Sequence, residues 1–203
     1  MLGRLLILIA MMLLGPLFIE VYLYHPMVAI EHDKAAMIPM VASPLALFGG
    51  FLLLAADSRI TAIIFGIACA VSVATGVVGT AIHVALHTDS LSSLVSDPHV
   101  WLGQPPILVP LSFAAAGLLG FIPLLVPGQR KLDAPPVAIA RILEALAALC
   151  ALVAVIFGAM VDGGTVALIG VIAALGFGSI GFIAELAVLL FPLIYPLIRA
   201  RMR

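Results

Sequence analysis

Six long apolar runs, parted by short polar stretches, take up most of this chain. Each is long enough to cross the hydrocarbon of a bilayer, which takes about 20 residues in a helix. None alternates as a half-lipid, half-water strand must, so the runs predict helices and not a barrel. Of 203 residues, 65% are hydrophobic and 9% charged. That balance excludes a water-soluble domain. The formal charge of -1 and the lack of a basic patch exclude a nucleic-acid partner. The expected fold is all-α: one transmembrane domain over residues 1–203, a six-helix bundle whose main partner is the lipid bilayer.

The spans are expected at about residues 2–24, 34–56, 60–87, 106–126, 136–160 and 165–198. The first resembles a signal peptide, with Arg4 ahead of an apolar run. The run continues to Tyr24 and no small-x-small cleavage site follows, so it reads as an uncleaved first span. His25-Pro26 stops it, because a residue before proline leaves the helical region. Pro105-Pro106 opens the fourth span, a position proline favours. The sixth run is too long for one upright crossing. It is expected to tilt, to extend out of the membrane or to break, with Gly176 to Gly181, Pro192 and Pro196 as weak points. Cys69 and Cys150 fall inside apolar runs without metal-binding spacing and read as small buried hydrophobes.

Lysine and arginine set the orientation. With six spans both termini share a side. That side collects Arg4, Arg59, Arg130, Lys131, Arg141, Arg199, Arg201 and Arg203, and the other has only Lys34. The termini are therefore expected in the cytoplasm, with a bacterial-type inner (plasma) membrane as the location.

All five histidines then land on the outer side: His25, His32, His83, His87 and His99. His83 and His87 are four apart, so a helix stacks them on one face. Ser72, Gly76 and Thr80 continue that face upstream, a small polar stripe that should point into the bundle. Neutral imidazole is the commonest metal ligand, and carboxylates complete sites for iron, zinc or manganese. The expected metal ligands are His83, His87, His32, His25 and Glu31, with Glu20, Asp33, Asp89 and His99 as further candidates. Met27, Met37 and Met40 at the same level offer a soft option that favours copper. A b-type haem is the competing cofactor. The outer side offers its propionates only Lys34, and no histidine lies near the inner face to continue an electron path.

Plainer readings stand beside these. An interfacial histidine often only caps or solvates a helix end. Glu31 and Asp33 suit the start of the second span electrostatically. Trp101 reads as an interface anchor, and Ser72, Gly76 and Thr80 as a close helix contact.

Glu144 and Glu185 lie deeper, at similar depth toward the inner side. Arg141, one turn from Glu144, is its expected partner. The pair is either a structural ion pair or part of a proton path through Ser72, Thr75 and Ser179. The leading functional expectation is a membrane metalloprotein with a transition-metal site (iron, copper or zinc) at the periplasmic face. It would act as an oxidoreductase on a small or lipid-soluble substrate, with a redox partner or other membrane subunits. The alternatives are a metal-ion or proton-coupled transporter, a haem electron-transfer protein, and an accessory subunit of a larger membrane complex.

Overall fold

A computed structural model describes residues 2–24, 38–87, 108–125, 138–159 and 164–201. Among these residues the structure is entirely helical. The elements are α1 (Leu2–Tyr24), α2 (Ile38–Ala55), α3 (Arg59–His87), α4 (Leu108–Leu125), α5 (Ala138–Gly158) and α6 (Gly164–Arg201). All six are long and apolar enough to cross a membrane, and they match the six expected runs. Lys34 to Met37, expected to open the second span, lie outside the described residues.

Successive helices run antiparallel. α1 and α6 lie side by side in one register: Arg4 meets Glu185, Ser179 reaches Met12, and Tyr22 meets Thr165. The hairpins α3/α4 and α5/α6 are the tightest pairs, and α1 and α2 lie between them. α1 packs on α4 and α6, while α2 packs on α3 and α5. This order gives the bundle two ends. The Arg4 end carries the start of α1, the α2/α3 turn, the start of α5 and the end of α6. The Tyr24 end carries the close of α1, α3 and α5.

The α2/α3 turn shows how sequence closes that first end. Ser58 caps α3: its Oγ accepts the Thr61 N–H at 3.2 Å, while Thr61 Oγ1 accepts the Ser58 N–H at 3.0 Å. The exchange has the form of a capping box, with threonine in place of the usual acid or amide. The Thr61 hydroxyl donates to the Ala56 carbonyl at 2.6 Å. It thereby satisfies an acceptor that the end of α2 leaves over.

Packing inverts the pattern of a soluble bundle. The buried side of α5 is Ala140, Glu144, Ala147, Ala148, Ala151, Ala154 and Gly158. Its large residues, Ile139, Ile142, Leu149 and Ile156, face outward. This is the pattern of helices that pack in lipid, where no hydrophobic force acts between them and close approach of backbones does the work. A Cβ on Gly170 would stand 2.8 Å from the Cys150 carbonyl oxygen, so only glycine lets α6 come this near to α5. Pro44 deprives the Met40 carbonyl of its i+4 donor. Gly158 is what approaches that oxygen, since a Cβ there would lie 2.9 Å from it.

α6 corrects one expectation. The helix continues unbroken from Gly164 to Arg201, through both the glycine cluster and Pro192 and Pro196. Gly178 makes room for the Phe51 ring and Gly181 for the Glu144 side chain. Those glycines serve contact, not breakage. Of the three outcomes foreseen for so long a run, the break is the one that does not occur. Cys69 is buried and Cys150 half-buried, both free thiols, in keeping with their reading as small hydrophobes.

Candidate functional site

Three helices bring one residue each to a common point near the Arg4 end. On α1 the buried positions include Arg4, Ile7, Met11, Leu14, Phe18 and Val21. This is a three-four spacing that makes one helix face. Arg4 is its first member. On α5 the small-residue stripe carries Glu144. On α6 the stripe Ala167, Val171, Ala174, Gly178 and Gly181 continues to Glu185. Antiparallel register then places the three at one level.

The contacts are direct. Arg4 Nε donates to Glu185 Oε2 at 2.7 Å, and Nη2 donates to Glu185 Oε1 at 2.5 Å. The same Nη2 stands 3.1 Å from both Oε1 and Oε2 of Glu144. Exposure is 4% for Arg4, 0% for Glu144 and 2% for Glu185. Glu185 therefore receives the planar two-point grip that guanidinium gives a carboxylate. Glu144 shares a nitrogen already engaged. Gly181 permits this arrangement: a Cβ there would come 3.2 Å from Glu144 Cγ and 3.0 Å from the Ala140 carbonyl oxygen.

One expectation changes here. The cation of this interior cluster is Arg4. Arg141 is not the partner of Glu144. It is exposed, while Arg4 makes both salt bridges. Arg141 precedes Glu144 by three residues, but the α5 stripe faces α2 and α6, and Arg141 lies off it.

At the other end, α3 carries the polar stripe. Ser72 is buried and donates to the Ala68 carbonyl at 3.0 Å. Thr80 donates to the Gly76 carbonyl at 2.7 Å. Gly76 lies against α4, where a Cβ would crowd the Ala114 backbone and sit 2.6 Å from the Pro110 carbonyl oxygen. The stripe thus faces a neighbouring helix, as its composition implied, and its small members make a close interhelical contact. His83 continues the stripe and is half-buried. His87 is on the last turn of α3 and is described by its backbone alone. Glu20 is half-buried near the end of α1.

The remaining expected ligands, His25, Glu31, His32, Asp33, Asp89 and His99, lie outside the described residues, as do Met27, Met37 and Trp101. Among the described residues, no group of three or more His, Cys, Asp or Glu side chains is arranged to hold a metal ion. Of the expected ligands, Glu20, His83 and His87 lie on described helices, His87 by its backbone alone.

The expected proton path fares similarly. Glu144 and Glu185 do meet, but the hydroxyls beyond them are committed locally. Ser179 donates to the Leu175 carbonyl at 2.7 Å and Ser72 to its own helix. Each hydroxyl thus bonds a carbonyl of its own helix, and Ser179 also reaches Met12 Sδ on α1 at 3.8 Å.

Comparison with protein-family models, with curated proteins and with solved structures returns no match for this chain. Function must be argued from the two ends alone.

Proposed function

We propose that this is an integral protein of an inner (plasma) membrane, with both termini in the cytoplasm. Its working end is the Tyr24 end, where it holds a transition-metal ion for redox chemistry on a small or lipid-soluble substrate. The observation that carries this reading is His83 with His87. They stand one turn apart at the close of α3, and His83 extends a half-buried polar stripe. An i, i+4 pair presents two imidazoles to one ion from one face. The ion needs further ligands, for which His25, Glu31, His32, Asp33, Asp89 and His99 are the candidates. Iron, copper or zinc suits an imidazole and carboxylate set. The orientation rests on the exposed Arg59 and Arg141 at the Arg4 end, together with the basic residues that follow α4 and end α6.

Elemental analysis of the purified protein tests this directly. Near-stoichiometric iron, copper or zinc, lost in His83→Ala and His87→Ala, supports the metal site. A Soret band in the optical spectrum would replace it with the haem alternative. Full metal content in both variants would remove these two residues from the site.

A second reading, proton-coupled transport, is favoured by one observation: two buried carboxylates on a single guanidinium. It gains from liposome flux that Glu144→Gln abolishes. The local commitment of Ser72 and Ser179 weighs against it. An accessory role in a larger membrane complex would show as purification only with other subunits.

A further inference from the structure

The triad at the Arg4 end holds one cation and two carboxyl groups, all at least 96% buried. Charge counting makes this unequal. Arg4 stays protonated under all ordinary conditions, and it neutralises one carboxylate. A second ionised carboxylate would leave a net negative charge inside the bundle, and an isolated buried charge is among the most costly features a protein can carry. The cluster therefore needs one more positive charge. We propose that it is a proton-binding site that holds one proton, carried by Glu144, with Glu185 as the permanent ion partner of Arg4.

The geometry distinguishes the two carboxyls. Glu185 is gripped through both oxygens by two nitrogens, at 2.5 and 2.7 Å. Glu144 meets only Nη2, with both oxygens at 3.1 Å. A charge-assisted, two-point contact suits the ionised group, and the longer, shared contact suits the neutral one. Arg141 acts on both carboxyls through space, and the N-terminal amine on Glu185. Asp57 and Arg59 are exposed on the α2/α3 turn. Among the described residues only Arg4 is in direct ionic contact with the two carboxyls. α2, which packs on α5, has no ionisable residue between Ile38 and Ala55. On α1 the only other ionisable groups among the described residues are Glu20, Tyr22 and Tyr24, at the far end. Arg141 on α5 is exposed and forms no ion pair with the cluster. The site is independent of the histidines, so it stands or falls apart from the metal reading.

Infrared spectroscopy of the protein in lipid nanodiscs at neutral pH counts the proton. A protonated carboxyl gives a C=O stretch that shifts in heavy water, whereas a carboxylate does not absorb there. The wild type is expected to show one such group. Glu144→Gln should lose the band and keep the wild-type melting temperature, because the amide replaces a neutral acid of the same shape. Glu185→Gln should also lose the band, since Glu144 then becomes the sole partner of Arg4, but with a lowered melting temperature. Arg4→Gln, where it folds, should double the band. No band in the wild type would overturn the proposal and point to a bound monovalent cation instead. A band that persists in Glu144→Gln would overturn it by placing the proton on another carboxyl. A Glu144→Gln protein that melts well below Glu185→Gln would reverse the assignment of the two glutamates.

Discussion

At the Arg4 end, the interior stripes of α1, α5 and α6 finish in Arg4, Glu144 and Glu185, and the three side chains meet. At the Tyr24 end, the interior stripe of α3 finishes in His83, with His87 one turn beyond. The same three-four spacing carries polar residues to both ends, with opposite consequences. The first group is closed: one guanidinium holds two carboxyls from helices far apart in sequence, and the cluster ties α1 to α5 and α6. The second is read along one helix, α3, and most of the other ligands proposed for it lie outside the described residues. A closed buried cluster fixes structure, because removing one member strands the others. An imidazole pair at the close of one helix leaves structure largely to the packing beneath it. The comparison teaches that polarity inside a membrane protein is not in itself a sign of activity. What matters is whether the partners are already supplied.

The largest expected effect follows from breaking the closed end. Arg4→Met leaves two buried carboxyls without their cation. Removing one member of a buried ion pair costs about 3–5 kcal/mol. The variant should lose most of its monodisperse yield in detergent, read by size-exclusion chromatography after a heating series. An Arg4→Met protein as heat-resistant as the wild type would erase the distinction between the two ends.

Next in size is the contact beneath the histidines. Gly76→Ala pushes a methyl group into the Pro110 and Ala114 backbone of α4, and overpacking of this kind costs about 1–3 kcal/mol. The melting temperature should fall, while Gly176→Ala, where an added Cβ meets nothing within 4 Å, should leave it unchanged. Equal effects would mean that the α3/α4 contact is not what supports the Tyr24 end.

A smaller loss is expected at the α2/α3 turn. Thr61→Val keeps the shape of the side chain and removes its hydroxyl. The Ala56 carbonyl and the Ser58 N–H then lose their partner, for a cost of about 1 kcal/mol. Hydrogen exchange should speed up at Ser58 and in the last turn of α2, with little change in α5 and α6.

Much of this was legible in the sequence. Long apolar runs announce membrane helices, because a bilayer forces backbone groups to bond within the segment. The small-residue stripe Ser72, Gly76 and Thr80 faced a neighbouring helix as its composition implied. Read alone, Arg4 only marks the basic side of the chain and has no evident partner. Its spacing carries the missing signal: it shares the register of Ile7, Met11, Leu14 and Phe18, a stripe that is buried. Glu144 and Glu185 asked for a cation, and the nearest in sequence, Arg141, was preferred over the one that antiparallel register supplies. The break, one of the three outcomes open to α6, does not occur, for a similar reason. Glycines were weighed as local weaknesses, whereas Gly178 and Gly181 are the places where Phe51 and Glu144 enter. Pairings between distant residues depend on register, which one helix read alone does not contain.

The smallest effect on stability is expected from the histidines themselves. His83 is half-buried at the close of α3, and the packing that holds α3 to α4 lies below it, at Gly76 and Gly117. A Cβ on Gly117 would stand 2.7 Å from the Cys69 carbonyl oxygen, deep in the hairpin and several turns before His83 along α3. His83→Ala and His87→Ala, prepared without added metal, should therefore melt within about 1 kcal/mol of the wild type, the centre of the range for single substitutions. The sharper measurement is the difference that metal makes. An ion that binds only the folded protein raises its apparent stability with concentration, so a zinc titration should raise the melting temperature of the wild type and leave the two variants flat. A large loss in the metal-free variants would show that the histidines are part of the scaffold, and the two ends would then be alike in kind.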